Sequence, residues 1–151
     1  KKLHYESDQV FMVKFANGDR RYYYEQDSTN GNIFTREEMW LYSKGEADAH
    51  KGFKARGAFI TSTTFGVLGG MTGAFWGPAL PFLYISSNGI TKIRIKHETV
   101  SNPRYLTYDA YLLGYERVAR QKRKTRSFIG SGIGIATGYL FYALFHNYYP
   151  K

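Results

Sequence analysis

Residues 66–77 read GVLGGMTGAFWG, and residues 130–138 read GSGIGIATG. Both runs are strongly apolar, and both repeat glycine at four-residue intervals: Gly69, Gly73 and Gly77 in the first, Gly130, Gly134 and Gly138 in the second. Glycine inside a helix in water costs about 1 kcal/mol relative to alanine, so two such runs in one short chain need a physical reason. Four residues is just over one helical turn, so each set lines one face. In lipid no hydrophobic drive brings helices together, and small residues let two backbones approach for dense van der Waals contact. The expectation is a pair of membrane helices joined through glycine ridges, with Gly66 and Gly70 beside the first ridge.

Charge is segregated to match. The chain has 151 residues, a formal charge of +9 and a mean hydropathy of −0.44, an average that conceals two uncharged stretches. No Asp, Glu, Lys or Arg occurs in residues 57–91 or 127–150. Each stretch exceeds the roughly 20 residues that span hydrocarbon. Pro78 and Pro81 are expected to kink or end the first helix. Trp76 and Tyr84, and Tyr148 with Tyr149, suit membrane interfaces, where amphipathic rings concentrate. The absence of cysteine excludes disulfides, thiolate metal sites and a lipidated amino-terminal cysteine. A chain opening on Lys1 is read as one from which a signal peptide has been removed.

Before the first apolar run, QVFMVKFANGDRRYYYEQ (9–26) reads as a β-hairpin turning at Asn17-Gly18, since that pair tolerates the positive φ of tight turns. Its apolar and aromatic positions, Phe11, Val13, Phe15, Tyr22, Tyr23 and Tyr24, form the expected partner-docking surface. Thr35 followed by Glu38 is a capping-box signature and opens a helix. After the first run, Thr91 to Lys96 alternates in polarity and Asn102-Pro103 breaks the chain. A second long helix is expected from near Thr107, with a stripe of Tyr108, Tyr111, Leu112, Tyr115, Val118 and Ala119 at helical spacing. It becomes basic at Arg117, Arg120, Lys122, Arg123, Lys124 and Arg126 and continues into the second apolar run.

The predicted fold class is therefore a mainly α membrane protein: a two-span helical hairpin with glycine-zipper packing, preceded by a small α+β domain. The expected divisions are 1–56 (exported domain with juxtamembrane helix), 57–87 (first span), 88–126 (basic connector and amphipathic helix) and 127–150 (second span).

The paired ridges resemble the two-helix glycine-zipper domains of bacterial envelope proteins. A wider likeness runs from Tyr42 to Gly138. YSKGEADAHKGF, an apolar span containing GPALP, YLLGYERVARQKRK and GSGIGI resemble a group of small two-span membrane proteins of Bacteroidota. There an acidic-alanine motif (here Glu46, Ala47, Asp48, Ala49) precedes the first span and a Gly-Tyr motif (here Gly114, Tyr115) precedes the second. A serine-proline-rich exit common in that group is replaced here by ISSNGITKIRIK. The resemblance implies location and architecture and carries no chemistry.

No catalytic, cofactor-binding or metal-binding residue is expected. His4, His50, His97 and His146 are scattered, with no metal-ligand spacing. Glu37 and Glu38 are read as carboxylates favouring a helix N-terminus. Neither glycine run continues into a phosphate-loop Lys-Ser or Lys-Thr. Ser131 lies in I-G-S-G, without the first glycine of a nucleophile elbow, and is read as a small packing residue. Thr61, Ser62, Thr63 and Thr64 are read as hydroxyls bonded to helix backbone. The basic cluster beside a membrane span is read as a topology determinant and anionic-lipid contact, and its position disfavours nucleic acid. No small-molecule substrate is indicated.

The functional expectation is a non-enzymatic membrane subunit or accessory factor of a bacterial cell-envelope complex, serving protein export, outer-membrane assembly or gliding-type machinery. The alternative is a self-oligomerising glycine zipper forming a pore or lipid-bounded ring. The connector holds Lys92, Arg94, Lys96, Arg104 and the basic cluster against Glu98, Asp109 and Glu116. Positive-inside counting thus places it in the cytoplasm, with both termini in the periplasm of an inner membrane. An outer-membrane location is the alternative, and GPALP offers a point for the first span to turn back before crossing.

Overall fold

The structure, a computed structural model, describes residues 5, 10–87 and 91–148. The hairpin forms where the Asn17-Gly18 signal places it. β1 (Met12–Lys14) pairs antiparallel with β2 (Arg20–Tyr22), in the register Met12↔Tyr22, Val13↔Arg21, Lys14↔Arg20. Gly18 has φ 94°, in the left-handed region that side chains oppose. The Asn17 side chain donates to the Asp19 carboxylate and accepts from the Asp19 amide.

α1 (Arg36–Gly52) starts at the expected capping box: the Thr35 hydroxyl accepts from the Glu38 amide at 3.2 Å, and the Glu38 carboxylate accepts from the Thr35 amide at 2.8 Å. Residues 53–55 interrupt the helix, and α2 (Arg56–Met71) resumes it. A turn over 72–78 leads to α3 (Ala79–Ser87). The chain then returns through two short 3-10 turns, His97–Thr99 and Pro103–Thr107, to α4 (Asp109–Tyr148). α4 has 40 residues and is roughly 60 Å long.

α4 is the spine of the molecule. Gly114 lies against the Tyr42 carbonyl, Lys122 against the end of α1, Gly130 against the Phe59 carbonyl, Gly134 against that of Thr63 and Gly138 against that of Val67. The numbers rise together, so α1 and α2 run parallel to α4. Between them the returning segment runs the other way. Ile93 is buried in one core with Ala49, Tyr111, Tyr115, Val118 and Ala119. Ile93 and Ile95 alternate inward as the sequence suggests, although 91–96 forms no paired strand.

This arrangement corrects the two-span hairpin. The first apolar run is two helices, not one. α2 ends at Met71, Gly73 (φ 63°) begins a reversal, and α3 folds back until Tyr84 stacks on Phe65 with ring centroids 5.5 Å apart. The prolines do not stop α2, which has already ended. Pro78 precedes α3 and Pro81 occupies its first turn, where a missing amide proton costs no helical hydrogen bond. Among the described residues, α4 alone is long and apolar enough to cross a membrane. The helices expected to pack antiparallel, α2 and α4, are parallel.

A second correction concerns sidedness. The amino-terminal helix α1, the connector and the basic half of α4 share one core, so they lie on one side of any membrane. The expected separation of amino terminus and connector by a bilayer is incompatible with that packing. The Tyr148–Tyr149 belt and His4 fall outside the described side chains.

Candidate functional site: a cationic groove at the break between α1 and α2

α1, the connector and the first half of α4 form a head that is locked by Asp48. One carboxylate oxygen accepts the Tyr111 hydroxyl at 2.8 Å, the Ser101 amide at 2.9 Å and the Ser101 hydroxyl at 2.7 Å. Burial pushes the Asp48 carboxyl up, but these bonds and nearby Lys44 outweigh it and hold the pKa below the ordinary 3.8. Burial, then the Asp48 bond, raises the Tyr111 hydroxyl pKa. The Tyr115 hydroxyl is 2.7 Å from that of Thr99. The acidic-alanine and Gly-Tyr motifs thus meet: Gly45 abuts Tyr111 and Tyr115 backbone, and Gly114 abuts Tyr42.

The basic cluster divides. Arg117 pairs with Glu46 at 3.1 Å, and Arg120 with Glu116 at 2.9 Å. Arg123 donates to the Thr91 hydroxyl at 2.7 Å. The Lys122 ammonium donates to the carbonyls of Ala49, His50 and Phe53 at 3.2, 2.6 and 3.3 Å. It caps the last turn of α1, where orphan carbonyls concentrate negative charge. Four of the six cations therefore have partners within the fold. Lys124 and Arg126 are exposed and make no hydrogen bond or ion pair with a described residue.

Arg126 joins cations from elsewhere in the sequence. A groove of about 710 Å³ opens at the 53–55 break, lined by Lys51, Lys54, Arg56 and Arg126 above Phe59 and Ile60. Lys51, Lys54 and Arg56 are likewise exposed without partners among the described residues. These three lie outside the basic cluster that the sequence singles out. The missing signal was the parallel register, because Phe59 opposite Gly130 brings Arg56 level with Arg126 and Ser127. Each arginine is the last charge before its uncharged stretch. The charge border is consequently at one height on both helices.

Below that border the glycines meet, but in a different register from the one expected. A Cβ at Gly66 would lie 2.8 Å from the Ser131 carbonyl oxygen, and one at Gly70 would lie 2.7 Å from that of Ile135. Gly130, Gly134 and Gly138 form the facing ridge as expected. Gly69, Gly73 and Gly77 do not form its mate. Gly69 and Gly77 pack on each other across the reversal, and Gly73 makes the turn beneath the Tyr142 ring. The seam is Gly66 and Gly70, because α2 ends at Met71, before Gly73, the second member of the expected set. The hydroxyls of Ser62, Thr63 and Thr64 bond to carbonyls one turn back, as expected. Ser131 is buried in the seam, its hydroxyl without a hydrogen-bond partner among the described residues.

The hairpin residues split between inside and outside. Phe11 packs edge-on against Tyr22 and Tyr24 at 5.7 and 5.9 Å, and the Tyr24 hydroxyl donates to the Phe34 carbonyl at 2.8 Å. Val13, Phe15, Tyr22 and Tyr23 are exposed. Tyr22 also lies under Arg36 and borders a shallow aromatic groove with Trp40, Tyr105 and Tyr108. His50 lines the cationic groove, His97 lies in a 3-10 turn, and His146 stacks on Tyr142. Among the described residues no group of three His, Cys, Asp or Glu side chains is placed to hold a metal ion. No family model, curated protein or solved structure matches this chain.

Proposed function

We propose that this chain is a non-enzymatic, membrane-anchored subunit of a larger cell-envelope complex, built to hold a small head at the membrane surface. The observation that carries this reading is the two-faced character of α4. Its first half is packed into the head, whereas only 22% of its apolar window is buried. The core helix of a water-soluble protein would be mostly covered. The uncovered surface includes Ile60, Leu68, Phe75, Leu83, Leu140 and Leu144, each more than half exposed, and so large an apolar surface calls for lipid or protein around it.

In this reading α4 crosses the bilayer once from Ser127. α2 enters beside it for roughly 24 Å and turns back through α3, short of the ~30 Å hydrocarbon. Irregular backbone at such depth is tolerated when protein covers it, and here the Tyr139 hydroxyl donates to the Ala74 carbonyl at 3.2 Å. By the positive-inside rule, the basic residues beside the border favour a head on the cytoplasmic face of an inner membrane. The exposed tyrosine face of the hairpin is the docking surface for a protein partner. The glycine seam is consumed within one chain, which favours a subunit over a self-assembled zipper pore.

Purification in mild detergent followed by native mass spectrometry tests the proposal. The expected species is one copy of this chain with a partner protein at fixed stoichiometry, lost on Tyr22→Ala/Tyr23→Ala substitution. A ladder of homo-oligomers, or release from membranes by alkaline carbonate, would refute it.

A further inference from the structure

Resting on the membrane reading above, we infer that the groove at the α1–α2 break is a binding site for the phosphate of an anionic phospholipid. The phosphate is held by Lys51, Lys54, Arg56 and Arg126, with an acyl chain lying on Phe59 and Ile60. Two observations converge on this chemistry. The four cations lack partners among the described residues, while Arg117, Arg120, Lys122 and Arg123 of the same basic region are engaged within the fold. Lys122 lies in the same groove, but its ammonium is committed to three carbonyls. The groove thus collects positive charge that the protein does not neutralise.

Its polarity is also directional. Cations rim the groove at the height where charge ends on both helices, and Phe59 and Ile60 continue away from them into the uncharged stretch. A free phosphate ion has no use for that apolar floor. A phospholipid presents a negative headgroup and a hydrocarbon chain in the same order along the same axis. Each Lys or Arg near an anionic surface adds to its attraction, so cations from α1, α2, α4 and the 53–55 linker give a headgroup-selective site.

The test uses the full chain in nanodiscs of phosphatidylcholine doped with phosphatidylglycerol, with co-purifying lipid counted by native mass spectrometry. Wild type is expected to enrich phosphatidylglycerol about tenfold or more over phosphatidylcholine. Lys54→Gln/Arg56→Gln/Arg126→Gln is expected to lose that enrichment while still incorporating into nanodiscs. Lys92→Gln/Arg94→Gln/Lys96→Gln, with the same charge change elsewhere on the head, is expected to retain it. Equal enrichment in wild type and the groove variant, or equal loss in both variants, would overturn the site. Displacement of the lipid by millimolar inorganic phosphate would overturn the phospholipid assignment in favour of a free-phosphate site. Failure of the wild type to incorporate at all would instead sink the membrane reading, so the two failures are distinguishable.

Discussion

The Tyr111 hydroxyl donates to the Asp48 carboxylate at 2.8 Å, joining the last third of α1 to the first turn of α4 across 63 residues of sequence. Ser101, from the returning connector, donates twice to the same oxygen. Three segments that sequence reasoning assigned to two sides of a membrane are therefore tied at one atom.

Removing that acceptor should be costly. Asp48→Ala strands the Tyr111 hydroxyl and the Ser101 amide and is expected to destabilise the head by about 3 kcal/mol, whereas Tyr111→Phe alone should cost about 1 kcal/mol. In the Asp48→Ala background Tyr111→Phe should cost little or nothing, because its partner is already gone. Unfolding of the two single variants and the double variant in detergent measures the cycle. Simple additivity would show that the bond contributes nothing.

The same carboxyl makes stability depend on pH. Its folded pKa lies below the ordinary 3.8, so between the two values the unfolded chain binds more protons. The Asp48 contribution is complete above about pH 5, declines as pH falls through 3.8 and is lost below the folded pKa. Asp48→Asn should lack this acid limb, so its melting temperature should converge on that of wild type as pH falls from 6 to 3. A constant difference over that range would contradict the assignment.

The glycine seam is testable at paired positions on one helix. A Cβ at Gly134 would fall on the Thr63 carbonyl, whereas one at Gly132 meets nothing within 4 Å. Gly134→Ala should therefore destabilise the α2–α4 pair by about 2 kcal/mol through overpacking. Gly132→Ala should be neutral or stabilising, since alanine is the better helix former. Thermal unfolding in detergent distinguishes them; equal effects would remove the seam.

What was legible in the sequence was local. The Asn17-Gly18 turn, the Thr35–Glu38 box and the stripe from Tyr111 to Ala119 each depend on residues within a few positions of one another, and each is found where expected, whereas Tyr108 precedes α4 and is exposed. The glycines of α4 were legible for the same reason: a helix uninterrupted over 40 residues keeps four-spaced positions on one face. The first ridge misled because four-residue spacing has meaning only while the helix continues, and α2 stops at Met71. Pro78 and Pro81 are equally at home beginning a helix as ending one, and only the pairing of Gly69 with Gly77 decides which. The groove was illegible because the fate of each cation depends on distant chain. Lys122 and Arg126 are four apart on α4, yet one meets the end of α1 and the other meets no described partner.

In the proposed arrangement, hairpin, connector and basic helix form one head on one side of a membrane crossed once by α4. Cysteine labelling tests it directly, because the natural chain has no cysteine. Ala16→Cys in the hairpin turn and Glu98→Cys in the connector are both exposed. In sealed right-side-out spheroplasts both should resist a membrane-impermeant maleimide, and both should react in inverted vesicles. A cysteine appended after Lys151 should show the opposite pattern. Labelling of Ala16→Cys and Glu98→Cys from opposite sides would contradict the account.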